Sequence, residues 1–509
     1  MIDTVALREK VLDLAIRGKL VPQDSNDEPA SVLLERIREQ KQQMVKEGKL
    51  KAKDIKDDSV IFVGDDNLHY EKFADGTVEC IEDEIPFELP QGWAWTRFRV
   101  FCPYGDCEKY ETTAISDDSW ILDLEDIEKS TGRILAYATK SERNAVSTKH
   151  RFYKGQVLYS KLRPYLNKVV IAPKDGYCTS EILPLKLYGQ IIPKYVQLFL
   201  MSSTFLSYVN MISYGVKMPR LGTDDGKKAL IALPPLQEQE RIAEKYDYII
   251  PMILELQSSC EELTSSITTI KSKILDLAIR GKLVPQNPDD EPASVLLERI
   301  RAEKEELIKQ GKIKRDKKES VIFKGEDNSY YEKFADGTVK CIDDEIPFDI
   351  PHLWSWTRIS SISEEIFAGG DKPKNFSKEQ TDECPYAIYS NGVDKNGLYG
   401  FTDIPRVVKP SITVSGRGTI GFSCVRHEAF YPIIRLITIT PSSLISLEFL
   451  DCVFKRLLET GTGSSIPQLT VPMVKPKLIP IPPQKEQTKI IKKINEIFAV
   501  VLNVEKSLN

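Results

Sequence analysis

Between Ile242 and Leu277 apolar residues recur at alternating steps of four and three: Ile242, Tyr246, Ile249, Ile253, Leu256, Cys260, Leu263, Ile267, Ile270, Ile274 and Leu277. This spacing is the a/d seam of a coiled coil. A helix from Gln237 to Arg280 is about 65 Å long at 1.5 Å per residue, too long for one globular core. Gly281 and Pro285 mark its stop. Pro251 lies inside the seam and predicts a kink there, or two abutting helices. Such a helix needs a partner, and both chain ends offer one. Ile490, Ile494, Ile497, Val501, Val504 and Leu508 repeat the rhythm, as do Thr4, Leu7, Val11 and Leu14.

Internal repetition divides the rest. Leu12–Gln23 (LDLAIRGKLVPQ) recurs letter for letter as Leu275–Gln286, and Glu28–Arg38 (EPASVLLERIR) as Glu291–Arg301. Tyr70–Val78 (YEKFADGTV) returns as Tyr331–Val339, and Trp93-x-Trp95-Thr96-Arg97 as Trp354-x-Trp356-Thr357-Arg358. A second register relates Gly215, Pro219, Leu221, Pro234-Pro235 and Glu238-Gln239 to Gly463, Pro467, Leu469, Pro482-Pro483 and Glu486-Gln487. Repeats found before a fold is assigned define the architecture. Here it is constant (1–96), variable (97–232), constant (233–357), variable (358–480), constant (481–509). The last piece followed by the first recreates the central helix in circularly permuted form. The expected fold is α+β: two mixed α/β domains separated by an antiparallel coiled coil, with a circular pseudo-twofold internal repeat and the chain ends beside the central helix. The helices are expected at 2–20, 30–47, 236–283 and 293–310. Asp27 or Ser31, and Asp290 or Ser294, are available as caps, with Gly48 and Gly311 as stops. Lys49–Asp58 and Lys312–Glu319 read as solvated, mixed-charge linkers.

The variable stretches read mainly as strands: Gln156–Tyr159, Lys168–Ala172, Ser411–Ser415, Gly421–Val425 and Ile433–Thr440. Helices are expected at Lys194–Ile212 and Leu447–Thr460. Catalytic motifs are absent: no phosphate-binding P-loop, nucleophile elbow, H-E-x-x-H or methyltransferase N-P-P-Y is present. Gly416-Arg-Gly-Thr-Ile-Gly421 matches G-x-G-x-x-G in form, but Phe422–Val425 continues as a strand, so it reads as a turn that projects Arg417. The pairs Asp224-Asp225 and Asp343-Asp344 sit in turn-like settings. The four histidines are isolated and the nine cysteines scattered without a C-x-x-C pair, which argues against zinc and for a reducing compartment. No apolar run reaches membrane-spanning length and no signal region opens the chain, so a cytoplasmic protein without a membrane partner is expected.

The net charge of −5 excludes a nonspecific polycation but not local basic patches. From Arg151 to Lys228 twelve Lys/Arg face four Asp/Glu. Tyr159, Ser160, Lys161, Arg163, Tyr165, Asn167 and Lys168 form a dense segment, preceded by Lys149, Arg151 and Lys154 and followed by Tyr214, Lys217 and Arg220. Such side chains hold phosphates and read base edges. In the second variable stretch, between 404 and 435, Arg406, Lys409, Arg417, Arg426 and Arg435 face one acid, Glu428; Ser415, Thr419, Ser464, Ser465 and Gln468 are the polar candidates beside them. Any one of these residues alone is a solvated strand face. Clustered in both variable domains, they point to DNA. A coiled-coil adaptor that binds proteins is the alternative, and it leaves these segments without a role. A stand-alone nuclease or methyltransferase lacks a cofactor loop.

These motifs together resemble Type I restriction–modification specificity (S) subunits. They are the doubled L-D-L-A-I-R-G-K-L-V-P-Q, the P-P-x-x-E-Q opening each seam helix, L-Y-S-K-L-R-P-Y-L-N-K (Leu158–Lys168) and S-G-R-G-T-I-G (Ser415–Gly421). The resemblance spans the chain, which departs from the simplest layout by opening with a constant block. It implies a non-catalytic subunit with two target-recognition domains, 97–232 and 358–480, each reading half of a split double-stranded DNA target. It also implies that the helices set the gap between half-sites and dock two methyltransferase (M) subunits, joined by motor-nuclease (R) subunits. S-adenosylmethionine, ATP and Mg then belong to those partners, and no cofactor to this chain.

Overall fold

In the computed structural model, residues 3–143, 146–213, 218–316, 319–458, 461–462 and 468–507 are described. The chain divides into two compact units, Ile2–Ser259 and Cys260–Asn509. The helix Leu236–Ile279 runs as one element through Pro251, not as two abutting helices, and contributes its first part to one unit and its last part to the other.

Both units use the same frame. In the first it comprises Thr4–Ile16, Ala30–Lys46, the antiparallel meander Ser59–Val63, His69–Phe73 and Val78–Cys80, and the strand Ala94–Arg97, paired with Leu230–Leu233. In the second it comprises Ala293–Lys309, the meander Ser320–Lys324, Tyr330–Phe334 and Val339–Cys341, and the strand Ser355–Arg358, paired with Leu478–Ile481. The meanders follow the supposed linkers and were not anticipated. Their turns are local: Asn67 and Asn328 adopt positive φ, as do Gly76 and Gly337 in the A-D-G-T turns. The helices at 30 and 293 start behind Pro29 and Pro292 without a side-chain cap. Neither Asp27 nor Ser31, nor Asp290 or Ser294, caps them; the two aspartates instead pair with Arg241 and Lys489.

The letters repeated between units hold this frame together. Trp93 Nε1 donates to Glu238 at 2.9 Å, and Trp354 Nε1 to Glu486 at 3.0 Å. Gln239 accepts from the Ile192 amide and donates to the Pro234 carbonyl; Gln487 does the same with Ser446 and Pro482. The Glu-Gln of P-P-x-x-E-Q therefore ties each seam helix to the tryptophan strand and to the variable domain. Arg97 is buried between Glu71 and Glu84, and Arg358, half-buried, lies between Glu332 and Glu345.

Within the first unit Thr4 bonds Gln257 at 3.3 Å while Asp27 meets Arg241, so the first helix and the long helix run in opposite senses. Within the second unit Lys271 reaches Glu505 at 2.7 Å and Gln286 reaches Glu486, so Gln484–Ser507 also opposes the long helix. Burial along the long helix recurs every seventh residue. Tyr246, Ile253, Cys260, Ile267 and Ile274 are buried, with Ile242 one step before them. Ile249 is half-buried, while Leu256, Leu263, Ile270 and Leu277 are exposed, which corrects the expectation of a fully buried seam. On the carboxyl-terminal helix Ile490, Ile494 and Val501 are buried, Ile497 is half-buried and Val504 exposed; Leu508 lies outside the described residues.

The variable domains differ in topology. In the first unit a five-stranded sheet adjoins a three-stranded one of order Val169–Ile171, Val157–Ser160, Ile182–Leu185. The three-stranded sheet is apolar on both faces. Val157, Tyr159, Val169, Leu183 and Leu185 join the core shared with the frame helices, while Leu158, Val170 and Ile182 join a second core with Trp120 and Phe152. The single helix expected at 194–212 is two, Pro193–Met201 and Ser203–Ile212, broken at Ser202. In the second unit a four-stranded antiparallel sheet contains Ser411–Val414, Ser423–Arg426 and Ile437–Pro441, with a three-stranded mixed sheet beside it. The helix Leu447–Leu457 completes this core.

Candidate nucleic-acid interface

In the first unit the dense basic segment leaves the strand Val157–Ser160 and makes one 3-10 turn, Pro164–Leu166, before re-entering the sheet at Val169. Arg163 (φ 49°) and Asn167 (φ 51°) bracket that turn in the left-handed region. For a residue with a Cβ such as Arg163 this conformation costs about 1–2 kcal/mol. The surroundings enforce it. The Arg163 amide donates to the Pro219 carbonyl at 2.7 Å, Leu221 donates to the Lys161 carbonyl, and Asn167 Nδ2 donates to the Met201 carbonyl at 2.8 Å. The turn thus holds Tyr165 outward, 44 % exposed, with Lys161 and Arg163 half-exposed beside it. Arg163 Nε is buried without a hydrogen bond among the described residues.

The remaining candidates of this unit separate by burial. Tyr159 lies in the core against Tyr104 and Phe205. Ser160 is buried and donates to the Leu162 carbonyl; Lys149 is buried against Ser147; Asn167 is spent on Met201. Lys168 donates to the Leu124 carbonyl at 2.6 Å, and burial holds its amine below the usual lysine range. Arg151 stacks on Tyr177 and meets Asp175, and Arg220 meets Glu181. Lys154 is exposed. Tyr214 and Lys217 lie outside the described residues. The outward set is therefore Lys154, Lys161, Arg163 and Tyr165.

In the second unit Gly416–Gly421 links Ser411–Val414 to Ser423–Arg426 but is not a simple turn, since Thr419–Ile420 within it pairs with Gly461–Thr462; Arg417 stands exposed ahead of that pair, 3.3 Å from Gln468. Gly416 is required there: a Cβ would sit 2.7 Å from the Leu469 carbonyl. Asn391, which sequence reasoning passed over, clasps this turn to a second loop. Its Oδ1 accepts the Gly416 amide at 2.8 Å and its Nδ2 donates to the Ile434 carbonyl at 2.6 Å. Ile434 and Arg435 follow each other at φ 51° and 57°, pinned by amide bonds to Gly370 and Gly369. A β-branched residue there is a true outlier, and both side chains are exposed. The Asn391-Gly392 dipeptide is the sequence signal that marks such a turn.

The other candidates here are placed as follows. Arg426 is buried, stacked on Tyr389 and bonded to Thr413 and the Asn396 carbonyl, so it builds the domain. Ser415 is buried and accepts the Gly392 amide, and Lys409 pairs with Glu364. Arg406 is exposed and lies over Phe367, while Thr419 is half-buried, its hydroxyl unbonded among the described residues. Ser464 and Ser465 lie outside the described residues. Arg417, Arg435, Arg406 and Gln468 remain outward. Such an arrangement offers guanidinium forks and stacking surfaces to an anionic polymer. Among the described residues no group of three or more His, Cys, Asp or Glu is placed to hold a metal, and no helix is long and apolar enough to cross a membrane.

Residues 351–509 match the family model described as the Type I restriction modification DNA specificity domain. The EcoAI specificity subunit of a Type I restriction enzyme from Escherichia coli is 27% identical, over 97% of this chain and 88% of its own length. The carboxyl-terminal part of a putative type I specificity subunit from Mycoplasma pneumoniae is 32% identical over 20% of this chain and 71% of its own length. Among solved structures, a chain from work on complex assembly and conformational transition of the type I R-M system shares the fold. Its TM-score is 0.61 at 17% identity, covering 83% of this chain and 94% of that one.

Proposed function

Because the chain belongs to the Type I restriction–modification specificity subunits, the family that confers DNA-target specificity, we propose that its variable domains, 97–232 and 358–480, each read one half of a bipartite, asymmetric DNA target. The helices that oppose Leu236–Ile279 form an antiparallel coiled coil that sets the gap between half-sites. The frame docks two methyltransferase subunits, which carry S-adenosylmethionine, and motor-nuclease subunits that use ATP and Mg join that core. This chain is the non-catalytic reader.

The observation that carries this reading is the pairing of unlike basic loops with like frames. Lys161, Arg163 and Tyr165 stand on one strained, pinned turn, Arg417 stands on a glycine turn and Arg435 on the strained loop that Asn391 clasps to it, while the Trp, Glu, Gln and Arg residues that hold the frame are duplicated. A protein-binding adaptor explains the frame and leaves the two loops without work. The test is binding of duplex DNA by the methyltransferase-bound chain, followed by methylome sequencing of cells that express it. One methylated sequence with two unlike parts and a fixed gap is expected. A complex that shifts no duplex overturns the reading in favour of the adaptor.

A further inference from the structure

Arg417 and Arg435 stand on separate loops, so something other than the chain between them has to fix their separation. In the first unit Lys161, Arg163 and Tyr165 share one turn and need no such device. The sheet brings the two loops of the second unit together. Ser411–Val414 pairs with Ile437–Pro441, and Val414 opposite Ile437 is the last pair of that antiparallel ladder. Residues 415–417 therefore leave, and 434–436 enter, at the same end of one sheet. A Cβ on Gly416 would lie 3.4 Å from the Arg435 carbonyl oxygen, so the two backbones are neighbours there. Past the last pair the ladder no longer spaces them.

Asn391 does so instead. It comes from a third loop, 390–397, between the strands Tyr386–Tyr389 and Leu398–Thr402 of the neighbouring sheet. Its side chain accepts from the Gly416 amide and donates to the Ile434 carbonyl, each one residue from an arginine. The loop that carries it is anchored in turn. Arg426 stacks on Tyr389 at 3.5 Å and donates to the Asn396 carbonyl, and the Gly392 amide donates to Ser415 Oγ at 3.4 Å. Asn391 is half-buried and lies outside the apolar core of Ile412, Val414, Ile437 and Ile439, so its bonds order loops and not the sheet.

We propose that Asn391 is a positioning residue for sequence reading: it sets the spacing of Arg417 and Arg435, so that both guanidinium groups read neighbouring positions of one half-site as a unit. The inference rests on the functional reading above and adds a residue that itself touches no DNA. A recognition constellation has to be held within about 0.5 Å by groups that are themselves locked in place. Nonspecific affinity comes from charge, which the clasp does not alter. Its removal therefore lowers discrimination instead.

The test uses the methyltransferase-bound chain, the target given by its methylome, and duplexes altered in one half-site or the other. Asn391→Ala is expected to lower the preference for the target over duplexes altered in one half-site about tenfold or more. Preference at the other half-site and binding of unrelated duplex stay unchanged. In an R417A/R435A background the same substitution is expected to change nothing further, an outcome that a merely structural role does not produce. Asn391→Asp keeps the acceptor for Gly416 and loses the donor for Ile434. It is expected to relax the positions that R435A relaxes and to keep those that R417A relaxes; being isosteric, it carries the test if N391A does not fold. Unchanged discrimination in either folded variant overturns the assignment, as does equal loss at both half-sites or further loss in the double-arginine background. An unaltered complex that prefers no duplex over any other overturns the functional reading itself.

Discussion

Arg163 and Arg417 are held by their backbones before any ligand arrives, one at φ 49° and the other on a turn that needs Gly416. Preorganised guanidinium groups lose little entropy on binding. Arg163→Ala and Arg417→Ala are therefore expected to weaken DNA binding by about 1–3 kcal/mol each. If the contact is to a guanine edge, the loss is confined to one half-site; if it is to phosphate, all sequences suffer and the salt slope falls by about one. Titrations at two salt concentrations separate these outcomes, and unchanged affinity removes both from the interface. The buried ion network makes a different prediction. Burial opposes ionisation of Glu71 and Glu332, but hydrogen bonds from Arg97 and Ser59, and from Arg358 and Ser320, outweigh it and hold both pKa values below the usual glutamate value. Depressed carboxylates stabilise the fold above about pH 4.3, and that contribution disappears as pH falls through the lowered folded values. Melting temperature is thus expected to fall on acidification below that pH, and less steeply in an E71Q/E332Q variant that starts less stable. Equal slopes would remove these carboxylates from the acid transition. The basic-aromatic letters picked out one loop but not which of its members face out. Tyr159 and Leu158 look alike as strand residues, and only a sheet with a core on each face buries both.

Elements were legible where periodicity was long and illegible where it was short. Eleven seam residues at four-three spacing predicted the long helix, whose observed span Leu236–Ile279 starts where expected and stops short of the expected end at 283, and Pro251 did not divide it. The meanders escaped because strands of three to five residues with mixed charge carry no stripe, and their turn residues resemble a linker. Equal weight for both seam positions was also beyond the pattern: packing against one neighbouring helix buries a narrow stripe, every seventh residue, and leaves the other position at its edge. That difference has an energetic consequence. Ile253→Ala removes side-chain volume from a filled core and is expected to cost about 2–5 kcal/mol. Leu256→Ala, one step along the same seam, trims an exposed group and is expected to cost well under that. Thermal unfolding of the two variants decides; equal losses would mean that the exposed position is covered in solution.

At the scale of the molecule, the ruler proposal turns on one comparison of lengths. A heptad adds about 10.5 Å to a helix, at 1.5 Å per residue, and returns its buried stripe to within about 20°. The same distance along duplex DNA is about three base pairs at 3.4 Å each, through which the grooves turn by about 100°. One heptad inserted in the long helix, with one in its opposing helix, therefore moves a reader along the DNA without turning it to match. The expected methylome of that variant keeps both half-sites and widens the gap by about three base pairs, while affinity falls because one reader meets its groove out of phase. An insertion confined to the long helix leaves the facing stripe without its partner residues, and is expected to lower stability instead of resetting the gap. Methylation at the original gap by the doubly lengthened chain would mean that DNA bending or domain rotation sets the spacing, and the helices would then be a scaffold and not a ruler.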